Sequence, residues 1–110
     1  MDISTGEGIV YRVYIRPSFG SFELSKSDGT VLETHSHTEP LDTVPLLRWA
    51  LQVLTSGHRI DNKKDRIVII SDKFIPQDSP YKKDMYMIKM LAEFYNINVP
   101  YKDVTSLQKK

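Results

Sequence analysis

The chain has 110 residues, 40% hydrophobic and 26% charged, with no cysteine and a formal net charge of +1. That length fits one domain around one core, and the composition is globular, which excludes wholesale disorder. Without cysteine there is no disulfide scaffold, thiolate zinc site or cysteine nucleophile. No apolar run is long enough to span a bilayer, so no membrane contact is expected. The balanced charge hides an asymmetry: residues 1–55 carry a net −3 and residues 56–110 a net +4. A lopsided chain can present a basic surface to an anionic partner.

Residues 1–7 are polar and acidic and read as a loose leader, not a secretory signal. An intracellular protein, cytoplasmic or nuclear, is the default. From Gly8 the residues alternate. Ile9, Tyr11, Val13 and Ile15 point one way, and Val10, Arg12, Tyr14 and Arg16 the other, which is a strand with one buried face. Pro17 ends it and Gly20 lies in the turn. A second strand is predicted over Ser21 to Lys26, with Phe22 and Leu24 inward. Asp28-Gly29 is a hairpin signal, and a third strand follows from Thr30 to His37.

The period then changes. Asp42 or Thr43 can cap a helix, and Pro45 is tolerated in its first turn. Val44, Leu47, Leu51 and Leu54 recur at helical spacing, and Gly57 suits a left-handed cap. His58 to Asp65 is a polar, basic loop. Arg66-Ile67-Val68-Ile69-Ile70 reads as a central strand covered on both faces. Ser79-Pro80 opens a second helix that runs to about Tyr95, with Tyr81, Met85, Ile88, Ala92 and Tyr95 as its core stripe. Ile97 to Tyr101 is a last strand, placed on a sheet edge by Pro100. The boundaries are therefore a leader over 1–7, one domain over 8–103 and a basic tail over 104–110. The class is α/β: a mixed five-stranded sheet with two main helices in the order β-β-β-α-β-α-β and strand order 3-2-1-4-5.

In this order of elements the chain resembles the ribonuclease H-like superfamily over nearly its whole length. Val13-Tyr14-Ile15-Arg16-Pro17-Ser18 sits where members of that family have a strand ending in aspartate, glycine and serine. Ile67-Val68-Ile69-Ile70-Ser71-Asp72 is similar to the family's fourth strand, which ends in a catalytic aspartate. The resemblance implies several carboxylates around two divalent metals that clamp the oxygens of a phosphodiester. The departures are substantial. Arg16 occupies the first-strand aspartate position, the helix carboxylate falls near Pro45, and only Asp72 matches. Asp103 can stand in for the carboxylate after the last strand. A cation in the middle of a two-metal site repels the metals.

Four groups of residues are candidates for function. Asp72 and Asp103 are the catalytic candidates of a divergent nuclease using magnesium or manganese, with Glu39 or Asp42 as supplementary ligands. His35 and His37 share a strand face with Glu33, a spacing that can bind zinc when a third ligand is at hand. Arg59, Lys63, Lys64, Arg66, Lys73, Lys82 and Lys83 form a basic set able to meet phosphates without reading sequence. The second helix carries an additional apolar stripe, Tyr86, Met87, Met90 and Phe94, which suits burial on a second side or contact with a partner. No glycine elbow or phosphate-cradling glycine loop is present.

The expectation is a non-catalytic binding or adaptor module with no cofactor and no bound metal. It acts through a protein partner or self-association on the Met-rich helix, with nucleic acid as a further contact. The alternative is a metal-dependent nuclease acting on RNA or DNA. Fold analogy alone cannot choose between them.

Overall fold

The computed structural model describes residues 8–102. The leader (1–7), the tail (104–110) and Asp103 lie outside the described residues. β1 (Val10–Arg16), β2 (Ser21–Lys26) and β3 (Val31–Ser36) form an antiparallel meander. α1 (Thr43–Gly57) crosses to β4 (Arg66–Ser71), which runs parallel to β1. A two-residue strand, β5 (Ile75–Pro76), precedes α2 (Lys82–Phe94), and β6 (Ile97–Asn98) returns parallel to β4. β7 (Tyr101–Lys102) pairs with β5 in a separate small sheet. The main sheet is mixed and five-stranded, in the order β3-β2-β1-β4-β6.

The expected last strand differs in detail. It is split around Val99-Pro100: the first half extends the main sheet and the second half pairs with β5. Pro100 has no N–H to donate to a ladder, so the chain leaves one sheet and joins another at that point.

The core follows the alternation of the strands. Tyr11, Val13, Ile15, Phe22, Leu24, Ile67 and Ile69 are buried against Val44, Leu47, Leu51 and Leu54 of α1 and Met85 and Ile88 of α2. The two helices pack on each other, with Arg48 Nε 2.6 Å from Asp84 Oδ1 across them. Burying the apolar side chains on one face of the sheet drives this arrangement.

One expectation about β4 is overturned. Among the described residues it is covered on one face only, because α1 and α2 lie on the same side of the sheet. Val68 is half-buried and Ile70 is 40% exposed.

Gly57 is the second correction. It is the last residue of α1 and has no positive φ; the cap is His58, extended at φ −132°. A Cβ on Gly57 would stand 3.4 Å from Glu33 Oε2, an ordinary contact distance, so neither backbone angle nor crowding demands glycine there.

α2 also starts later than Ser79-Pro80 predicts. The Ser79 hydroxyl accepts a hydrogen bond from the Tyr81 N–H at 3.1 Å, and the Tyr81 hydroxyl donates to Asp42. These bonds hold residues 79–81 in a turn in front of the helix. The Asp42 carboxylate, engaged by Tyr81, makes no capping bond to α1.

Gly20 has a strict conformational role. Its φ is +63°, and a Cβ there would fall 2.1 Å from the Glu39 carbonyl oxygen. Its carbonyl accepts from His37 N–H at 2.8 Å, fastening the end of the meander to the turn after β1.

Candidate functional site

The outer side of α2 is the most distinctive surface. Met85 and Ile88 face the core, and the opposite face shows Tyr86, Met90 and Phe94, which are 65%, 46% and 59% exposed. Their spacing of four residues stacks them in a line along one face. Met87 is half-buried beside that line. The ring of Phe94 meets Tyr95 edge-on at 4.7 Å, which steadies the lower end of the stripe. Lys89 and Glu93 are exposed along one flank. Large apolar groups in contiguous array on a surface mark contact sites.

The ends of β1 and β4 are where the resemblance implies a metal centre. Ile15 pairs with Ser71, so Arg16 and Asp72 follow at the same end of adjacent strands. Both are exposed. Asp72 lines an open cleft of about 630 Å³ with Thr43, Lys73, Phe74 and Pro100. Asp42, near the same cleft, has its carboxylate on the Tyr81 hydroxyl, and this bond raises the tyrosine pKa. Glu39 lies in the loop after β3, with its backbone carbonyl packed against Gly20. Among the described residues no group of three or more His, Asp or Glu is gathered to hold a metal ion. Among the described residues, Asp72 beside Arg16 and an Asp42 engaged by Tyr81 do not assemble the carboxylate set of a two-metal centre.

The seven basic candidates are divided between the two ends of the sheet. Arg59, Lys63, Lys64 and Arg66 lie before and at the start of β4, while Lys73, Lys82 and Lys83 lie beyond its far end and at the start of α2. All seven are exposed. Lys63, Lys64 and Arg66 line one depression of about 650 Å³ with Asn96 and Asn98. The loop that carries them is shaped by Asp65, which is buried rather than solvent-facing. Its two carboxylate oxygens accept from Ile9 N–H at 2.8 Å and Asp61 N–H at 2.9 Å.

A cluster that spacing alone did not assemble lies at the edge of the helical layer. Glu33 is bracketed by two imidazoles: His35 Nε2 at 2.8 Å on Oε1 and His58 Nε2 at 2.9 Å on Oε2. The His35 ring stacks on Phe22 at 5.0 Å and meets Trp49 edge-on at 5.8 Å. Bonds from His35 and then His58 hold the Glu33 carboxyl below its ordinary range. His37 is not part of this group; its Nδ1 accepts from Glu39 N–H at 3.3 Å. The one available signal was the Glu-x-His pattern on β3, Glu33-Thr34-His35, which does not reveal His58 as the third member.

Comparison with protein-family models, curated proteins and solved structures finds no match.

Proposed function

We propose that the chain is a non-catalytic binding module of ribonuclease H-like topology, and that its outer α2 face docks a second copy of the same chain. The observation that carries this is the outward line of Tyr86, Met90 and Phe94. Aromatic residues and methionine are the types enriched in interface cores, and methionine adapts to the facing surface.

The flank of the stripe favours a second copy over an unrelated partner. In an antiparallel pairing about a two-fold axis at Met90, Tyr86 of each copy meets Phe94 of the other. Lys89 then comes within about two residues of axial rise of the other copy's Glu93, about 3 Å. The pair repeats across the axis, so the surface is self-complementary in charge as well as shape, as a two-fold interface requires.

The order β-β-β-α-β-α-β, with β1 and β4 parallel at the centre of the sheet, supports the topological assignment. The guanidinium of Arg16 at the strand end, with Asp72 the matching carboxylate, supports the non-catalytic half of the reading.

Light scattering coupled to size exclusion tests it. The full chain should elute with the mass of a dimer, and Met90→Glu with that of a monomer, with an unchanged circular dichroism spectrum. A monomeric wild-type chain at all concentrations overturns the proposal.

A further inference from the structure

We infer that the helix-free face of the sheet is a platform for single-stranded nucleic acid, independent of the contact at α2. Along β1 the outward positions are Arg12, Tyr14 and Arg16. The parallel register sets Val68 beside Arg12 and Ile70 beside Tyr14. Tyr14 therefore lies at the middle of the face with an exposed apolar neighbour. Arg12 Nη1 donates to the Tyr14 hydroxyl at 3.3 Å, holding guanidinium and ring together. An aromatic ring flanked by arginines can stack a base and hold the adjoining phosphates, and the stacking does not depend on which base is present.

The charge of the face fits a polyanion. Val10 pairs with Arg66, so a third arginine lies at the other end of the same two strands, next to Lys63 and Lys64 in the depression described above. From Arg66 to Arg16 the face runs about 20 Å along β1, the scale of the shorter single-strand sites. Glu23, opposite Tyr14, is the one acidic residue at the outward positions of β1, β2 and β4; Asp72 follows β4 beside Arg16. None of these cations is in an ion pair among the described residues. At the upper end Tyr14, Arg16, Ser21, Glu23, Thr34 and Ser36 contribute to a shallow groove of about 190 Å³. Its hydroxyls offer donors and acceptors to sugar and phosphate. Among the described residues this face of the sheet is open, because α1 and α2 pack on its other side. A duplex keeps its bases stacked internally and offers none to Tyr14, so the single strand is the favoured form.

Fluorescence anisotropy with a labelled oligothymidylate and with a duplex of the same length tests the inference on the full chain. The single strand should bind more tightly than the duplex, with affinity falling as salt rises. Tyr14→Leu should weaken binding about tenfold, whereas Tyr14→Phe keeps the ring and stays within about twofold. Arg12→Gln with Arg16→Gln should lower the salt slope by about 1.4, the value for two lost phosphate contacts on a single strand. Lys82→Gln with Lys83→Gln, at the start of α2, should leave affinity unchanged. Thermal melts confirm that each variant is folded. No binding at low salt, equal affinity for duplex and single strand, or equal loss in the Lys82 and Lys83 variant overturns the inference.

Discussion

Glu33 and His58 lie 25 positions apart in the chain and meet at 2.9 Å. The bond joins edge strand β3 to the end of α1, and His35 completes it from the other side. Because the folded carboxyl is held below its ordinary value of 4.5, its contribution to stability is fully present above that value. As the pH falls below 4.5 and through the lower folded value, the unfolded chain takes up the proton first and the contribution is lost. Glu33→Gln should therefore be less stable than wild type at neutral pH, and the gap should close in acid. Urea denaturation over a pH series checks this; a gap of constant size would refute it.

Asp65 fixes the basic loop to the first strand through the Ile9 and Asp61 amides. Asp65→Ala leaves both donors without that acceptor and should cost about 3 kcal/mol, the scale of losing charge-assisted bonds in a buried setting. Denaturant unfolding measures it. A loss no larger than that of an exposed control such as Lys26→Ala would contradict the role given to Asp65.

Gly20 combines a left-handed backbone with a carbonyl pressed against it. Gly20→Ala should destabilise by at least about 2 kcal/mol, from strain in the backbone and displacement of the Glu39 carbonyl. Gly29→Ala, with φ +97° and open space around it, should cost less. A calorimetric comparison in which Gly29→Ala is the more damaging would overturn this ordering.

Asp72 separates the binding module from a nuclease. Asp72→Asn should leave dimerisation as in wild type, since the residue lies outside α2, and should not weaken strand binding, since it removes a carboxylate beside Arg16. Magnesium- or manganese-dependent cleavage present in the wild-type chain and absent in Asp72→Asn would instead establish the nuclease.

Much of the fold was legible because the signals were local. Alternation at Tyr11, Val13 and Ile15, the Asp28-Gly29 turn and the leucine stripe of α1 each act within a few residues, and all agree with the sheet and helices observed. The misplaced features depend on distant partners. Gly57 resembles a left-handed cap, yet its φ is not positive and the helix is closed by His58, which reaches back to Glu33. The run of β-branched residues in β4 suggests cover on both faces, but among the described residues the two helices stack on each other and cover only one. The outward face of α2 was legible from helical period, apart from Met87, which the packing turns partly inward. The joining of His58 to Glu33 was not legible, because the turn of α1 that brings them together is set by the whole core.

The most direct test of the α2 contact uses the absence of cysteine. Met90→Cys introduces a single thiol at the proposed two-fold axis, and Ser27→Cys places one in the exposed hairpin turn as a control. Each purified variant is treated with a short bifunctional thiol reagent and resolved by denaturing electrophoresis. Covalent dimer from Met90→Cys, with little from Ser27→Cys, is the expected result. Equal yields from the two variants, or no dimer from Met90→Cys, would contradict a second copy docking on this face.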